Sequence, residues 1–119
     1  MKGKQMKVVI NSDYGGFGLS AEAIREYGQR TGLNLIQEGP DRFGFIHFYR
    51  NSVSEENYFL DRDIPRDDRV LVEIVEEMGE KAGSRFSTLK VIEVPDGVNW
   101  YVEESDGREW IAERHRTWA

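Results

Sequence analysis

The sequence predicts an α+β fold: antiparallel strand pairing with two α-helices, in one compact domain over residues 1–119. Three observations carry the prediction. A β-branched apolar run, Val8, Val9 and Ile10, leads through the glycine-rich stretch Tyr14-Gly15-Gly16-Phe17-Gly18-Leu19-Ser20 into a helix-like segment. A second segment repeats Val70, Leu71, Ile74, Val75 and Met78 at three- and four-residue spacings, the signature of an amphipathic helix. The last third alternates in the manner of strands and is broken by Pro95-Asp96-Gly97 and Asp106-Gly107.

Taken in order, Met6 to Ser12 reads as the first strand. The first helix runs from about Ser20 to Thr31, with Ser20 as N-cap and Gly32 as C-terminal stop. Its apolar face is Ala23, Ile24 and Tyr27. Leu33 to Gln37 reads as a short strand, Glu38 to Arg42 as a turn, and the aromatic run Gly44 to Arg50 as a strand covered on both faces by core or by another subunit. Asn51 to Asn57 reads as a polar loop and Tyr58-Phe59-Leu60 as a brief edge strand. Asp67 or Asp68 caps the second helix, which stops at Gly79 or Gly83. Strands follow over Ser87 to Val94, Asn99 to Glu104 and Glu109 to His115.

Composition bounds the function. At 119 residues, with 39% hydrophobic and 12% aromatic residues, the chain is large enough to bury a core. A net charge of −6 argues against a long nucleic-acid partner, which leaves a basic stripe as its footprint, but a small phosphorylated ligand needs only a few local cations. With no cysteine there is no disulfide framework and no thiolate metal site. No apolar run approaches spanning length and no signal-peptide core is present, so a soluble cytoplasmic protein is expected, without membrane contact.

Two stretches suggest ligand binding. In the first, Gly16 and Phe17 lie where glycines let a ligand approach the backbone and where the helix N-terminus favours an anion; the plain alternative is a tight strand-to-helix connection. The stretch matches neither the dinucleotide fingerprint nor the P-loop. The second is the C-terminal hairpin, whose register follows from a two-residue Asp-Gly turn. Ser105 then faces Arg108, Val102 faces Ile111, Tyr101 faces Ala112 and Asn99 faces Arg114. Trp100, Val102 and Ile111 share a face assigned to the core. Asn99, Tyr101, Ala112, Arg114 and Arg116 share the other, on which arginines can grip phosphate, a ring can stack on a base and an amide can read a base edge; the alternative is a solvated polar face. The register also sets Glu104 opposite Glu109, a repulsive pair tolerable only at a solvated end.

Catalysis has less support. His47 sits in the aromatic run and reads as a packed strand residue. His115-Arg116-Thr117 supplies one His-x-Thr of the kind that two-histidine phosphoesterases use in pairs, without a second. No metal-ligand spacing occurs, and Ser12, Ser20 and Ser87 have no recognisable partner pattern for nucleophilic chemistry.

Four motifs together, the strand-Tyr14-to-Ser20 opening, Ile64-Pro65-Arg66-Asp67-Asp68 before an apolar-acidic helix, Val94-Pro95-Asp96-Gly97-Val98-Asn99-Trp100, and the terminal His115-Arg116-Thr117-Trp118, resemble a family of small bacteriophage proteins. The nearest functional match is the Thoeris anti-defence family of the first type, phage-encoded sponges for cyclic ADP-ribose signals. The resemblance covers most of the chain except residues 33–60. It implies a compact α+β fold of an antiparallel sheet with two helices, and homodimers that can assemble into hexamers, with pockets at the dimer interface. The implied ligand is a glycocyclic ADP-ribose isomer made by a bacterial TIR-domain protein, bound without turnover and without a cofactor or metal in the cytoplasm of the infected host. Some members also look able to bind cyclic di- or trinucleotides. The positions matching the family pocket are Asn99 and Arg116, with Phe86 as a base-stacking aromatic and Arg66 as a phosphate ligand.

A non-catalytic nucleotide sponge is therefore the leading expectation. A phosphodiesterase or hydrolase of the same signal is second and would need His115 as acid or base. An acidic inhibitor that binds protein is third and would show a long acidic surface without an arginine pocket.

Overall fold

The structure is a computed structural model that describes residues 5–114; His115 and Arg116 lie outside the described residues. The architecture is α+β, with two helices and antiparallel pairing. Among the described residues the pairing is divided among three two-stranded sheets rather than gathered into one.

The central pair joins β1 (Gln5–Asn11) to β4 (Leu89–Pro95), with Met6 opposite Val94 and Val9 opposite Val91. Strand alternation sends Val9, Leu89 and Val91 into the main core beneath the helices. Val8, Ile10 and Val94, on the opposite face, are buried outside that cluster. That face receives the hairpin of β5 (Trp100–Ser105) and β6 (Arg108–Glu113). Trp100 Nε1 reaches Met6 Sδ at 3.0 Å. The hairpin thus lies on β1–β4 as a second layer, and Val102 and Ile111, placed on the core side, are half-buried.

Both helices begin where their caps predict. Ser20 Oγ accepts the Ala23 N–H at 3.1 Å and starts α1 (Ala21–Thr31); Gly32, at φ 77°, ends it. Asp68 Oδ1 accepts from Val70 and Leu71 at 2.9 and 3.0 Å and starts α2 (Arg69–Met78). Gly79, at φ 59°, terminates α2, and one 3-10 turn, Gly79–Ala82, carries the chain to Gly83. Ile24, Tyr27, Leu71, Ile74 and Val75 meet in the core, and the Tyr27 hydroxyl donates to Asp68 Oδ2 at 3.0 Å.

The third pair, β2 (Leu35–Glu38) with β3 (His47–Arg50), differs from expectation. Leu33 packs against the core ahead of the strand instead of beginning it. The aromatic strand is four residues long and is not covered on both faces: Phe48 is buried, His47 and Tyr49 are half-buried and Phe45 is exposed. The cause is Asp41, whose Oδ1 accepts from Phe43 and Phe45 at 2.8 and 3.0 Å and winds 41–45 into a loop. The segment Tyr58-Phe59-Leu60 contributes one bridge, Tyr58 to Tyr49, and a Phe59 N–H to Phe48 carbonyl bond of 2.8 Å. Ser87 lies ahead of β4, buried, with its hydroxyl on the Gly18 carbonyl at 2.6 Å.

The β5–β6 register is the expected one, from Ser105 opposite Arg108 to Tyr101 opposite Ala112. Asp106 and Gly107 both have positive φ, 51° and 89°, as the tight turn requires. Among the described residues no helix is long and apolar enough to cross a membrane.

Candidate functional site

The glycine-rich loop from Tyr14 to Leu19 is the junction of the molecule. A Cβ at Gly15 would collide with the carbonyl oxygen of Phe86, and one at Gly107 would stand 2.5 Å from the Tyr14 carbonyl oxygen. These glycines serve close approach of chain to chain. Asn11, fully buried, fastens the junction: its Nδ2 donates to Asp13 O and Gly107 O, both at 2.8 Å, and its Oδ1 accepts from Thr88 N at 3.0 Å. The anion position expected beside Gly16 and Phe17 already meets a carboxylate, because Asp61 Oδ2 accepts the Leu19 N–H at 2.7 Å.

Two arginines set against aromatic rings flank this loop. On one side Arg66 lies over the Phe17 ring, Cζ to centroid 3.4 Å, and its Nη2 donates to Glu109 Oε2 at 2.8 Å. The side chains of Arg66 and Glu109 are 16% and 8% exposed, so this pair is screened from water far more than a surface ion pair. Glu109 Oε1 accepts the Asn11 N–H at 2.9 Å. Glu109 is therefore not half of a repulsive pair at a solvated end: Glu104 turns away to accept the Gly107 N–H at 2.8 Å, and Glu109 turns inward to two donors.

On the other side Arg85 stands 5.2 Å from the Phe45 ring centroid and 5.1 Å from that of Phe86. The three border an open cleft of about 290 Å³, whose other walls include Ser20 and Ala21 from the start of α1. The turn that presents them is held by Ser84 and Ser87, with their hydroxyls 3.0 Å apart. Phe86 is 51% exposed and Phe45 45%, an apolar area with a cation set into it. Sequence reasoning placed Phe86 by resemblance and missed both Arg85 and the part Phe45 plays here. The adjacent Arg85-Phe86 pair was the available signal; Phe45 fell within a strand expected from Gly44, which the structure begins three residues later, at His47.

The remaining candidates lie elsewhere. Asn99, Tyr101 and Arg114 do share the outer hairpin face: Arg114 Cζ is 4.7 Å from the Tyr101 centroid, and its N–H donates to Asn99 O at 2.8 Å. The Tyr101 hydroxyl donates to Glu103 Oε1 at 2.8 Å, which raises its pKa above the usual phenol value. Trp110 Nε1 donates to Glu103 Oε2 at 2.9 Å, adding a partly exposed ring. This face is opposite to the one carrying Glu109, and at about 3.3 Å per residue Asn99 is roughly 20 Å along the strand from the turn that meets Gly16. Within one chain the structure gathers Gly16, Phe17, Arg66 and Phe86 around one loop and leaves Asn99, Tyr101 and Arg114 apart. Arg116 falls outside the described residues.

His47 is not simply a packed strand residue. Its Nε2 is 2.9 Å from Asp41 Oδ2 and its Nδ1 2.9 Å from the Tyr58 hydroxyl, with the Tyr58 ring edge-on to Tyr49. The Asp41 carboxyl is held below its ordinary range, chiefly by His47 and then by the Phe45 N–H. Both ring nitrogens are engaged within the protein. No family model, curated protein or solved structure matches the chain.

Proposed function

We propose that the protein binds and sequesters a cyclic ADP-ribose isomer of the glycocyclic type, made by a bacterial TIR-domain protein, and does not cleave it. In this reading it is a phage anti-defence sponge acting in the cytoplasm of the infected host. One observation carries most weight: a single loop, in a chain of net charge −6, is flanked by Arg66 on Phe17 and by Arg85 between Phe45 and Phe86. A ligand with a planar base and two phosphates matches that chemistry, rings for stacking and guanidinium groups for phosphate oxygens.

The separation of Asn99 and Arg114 from this loop supports a pocket built by two chains. One small nucleotide cannot span roughly 20 Å of strand within a protomer, whereas a two-fold partner can bring its hairpin face to the loop of the first. The exposed Phe43, Phe45 and Phe86 fit such an interface. A hexamer, and further pockets for cyclic oligonucleotides, extend the same reading.

Binding without turnover is favoured over hydrolysis by the state of His47, whose two nitrogens are both taken by Asp41 and Tyr58. The remaining histidine, His115, has no second His-x-Thr in the sequence to pair with. The deciding experiment incubates the protein with lysate containing TIR-made signal, denatures it by heat and identifies the released small molecules by mass spectrometry. Unchanged cyclic nucleotide is expected. A linearised product that grows with time and disappears in His115→Gln would make the protein a hydrolase or phosphodiesterase instead.

A further inference from the structure

Arg66 is incompletely used. Its Nη2 has Glu109, but Nε and Nη1 are buried with no hydrogen-bond partner among the described residues. Guanidinium groups ordinarily meet a carboxylate through two parallel bonds, and buried unmatched donors on a charged group are costly. Here Glu109 gives Arg66 one oxygen and spends the other on the Asn11 N–H. The cation is held flat by Phe17 on one face, so it is oriented as well as buried. This arrangement serves stability poorly: a full fork, or an apolar pair of the same volume, would serve it better.

We infer that Glu109 is a specificity-determining residue that occupies the seat of a ligand phosphate on Arg66, and that the site selects for ligands carrying a diphosphate. This rests on Arg66 being a phosphate-binding residue, as proposed above. Glu109 Oε2 is then an internal competitor: an incoming anion must displace it from Nη2, and the buried Nε and Nη1, which Glu109 leaves unpaired, come within its reach only as the hairpin turn gives way. A diphosphate presents enough oxygens and charge to make that exchange favourable. A singly charged anion offers no more than the carboxylate already there. Displacement also has a mechanical consequence. Glu109 ties β6 to β1 through Asn11, next to Gly107 and the loop, so ligand binding at Arg66 loosens or shifts the hairpin turn.

The test uses inorganic pyrophosphate as probe and compares the intact protein, Glu109→Gln and the double variant Arg66→Met/Glu109→Gln by calorimetric titration at constant ionic strength. Glutamine keeps the shape and an oxygen for the Asn11 N–H while removing the competing charge. Glu109→Gln is expected to bind pyrophosphate at least tenfold more tightly than the intact protein, and the double variant is expected to lose that gain. The preference for pyrophosphate over acetate should narrow in Glu109→Gln as acetate also gains access. If Glu109→Gln is too unstable to titrate, its melting temperature should rise more steeply with pyrophosphate than that of the intact protein. Equal responses of the intact protein and Glu109→Gln, or a gain that survives the loss of Arg66, would overturn the inference. Failure of the intact protein to take up a cyclic ADP-ribose isomer would instead sink the functional reading and leave the pyrophosphate result standing, since the comparison of Glu109→Gln with the double variant reads Arg66 and not the cyclic ligand.

Discussion

Gly107, in the β5–β6 turn, rests directly on the backbone of Gly16: a Cβ at 107 would stand 2.9 Å from the Gly16 Cα and 2.5 Å from the Tyr14 carbonyl oxygen. Both residues have φ 89°, yet a Cβ at Gly16 would meet nothing within 4 Å. The two alanine substitutions therefore separate backbone strain from collision. Gly16→Ala should cost about 1 kcal/mol, the penalty for a left-handed residue with a side chain. Gly107→Ala carries that penalty and must also push two pieces of backbone apart, so a loss of about 3 kcal/mol or more is expected. Urea unfolding of the two variants checks this, and equal losses would mean that the turn does not dock on the loop.

The same turn shows what can be read from the chain and what cannot. Asp106-Gly107 is a local signal, and a two-residue turn sets every pair of the hairpin, so the register from Ser105–Arg108 to Tyr101–Ala112 was legible. The cap Ser20, and a cap at either Asp67 or Asp68, were legible for the same reason, since each cap bonds amides two or three residues away; the fold settles on Asp68. The inward turn of Glu109 was not. It depends on Arg66, 43 positions earlier in sequence, and on Asn11, which the layering of the hairpin over β1 brings to it. The contact of Arg85 with Phe45 was missed on similar grounds, because only the fold sets the two together. The aromatic strand was overextended because alternation and β-propensity take no account of one carboxylate, Asp41, collecting two amides.

Tyr27 gives an alkaline test of the helix pairing. Burial first, then the bond to Asp68, push its phenol from 10.0 up to about 12. The native state thus holds this proton more tightly than the unfolded chain does. The associated stability is fully present below pH 10 and is lost as pH rises through about 12. Tyr27→Phe keeps the ring in the core and should cost about 1–2 kcal/mol at neutral pH through the lost bond to a carboxylate. Between pH 10 and 12 its stability should fall less steeply than that of the intact protein, as measured by denaturant unfolding across that range.

Asp41 gives the acid counterpart. Its carboxyl is depressed below 3.8, with His47 the first cause, followed by the Phe45 N–H. A depressed carboxylate stabilises the native state above its unfolded pKa, and that contribution disappears as pH falls through the lower native value. A carboxyl carbon titration by NMR should place the Asp41 midpoint below 3.8. His47→Asn should move the midpoint upward while leaving the Phe43 and Phe45 bonds to hold part of the shift. No movement would mean that the Asp41–His47 contact contributes nothing in solution.

The proposed pocket makes a sharper demand than loss of binding in single variants. Arg116→Ala should weaken binding of the cyclic nucleotide by about 2–5 kcal/mol if its guanidinium is desolvated against phosphate. Arg62→Ala, on an exposed short turn, should have little effect. Phe86→Ala and Asn99→Ala should each abolish most binding, and the two residues belong to parts of the chain that the fold keeps apart. If one protomer supplies Phe86 and its partner supplies Asn99, mixing equal amounts of the two inactive variants creates some pockets with both residues intact. Random pairing across a two-fold axis leaves roughly one pocket in four fully equipped. Calorimetry on the mixture, after dilution and reassociation, should therefore recover about a quarter of the intact protein's binding sites at full affinity. If each chain carried a complete site, mixing would restore nothing, and a monomer in sedimentation at micromolar concentration would contradict the two-chain pocket independently. Recovery of full-affinity sites at the expected fraction would place Phe86 and Asn99 in one pocket, on different chains.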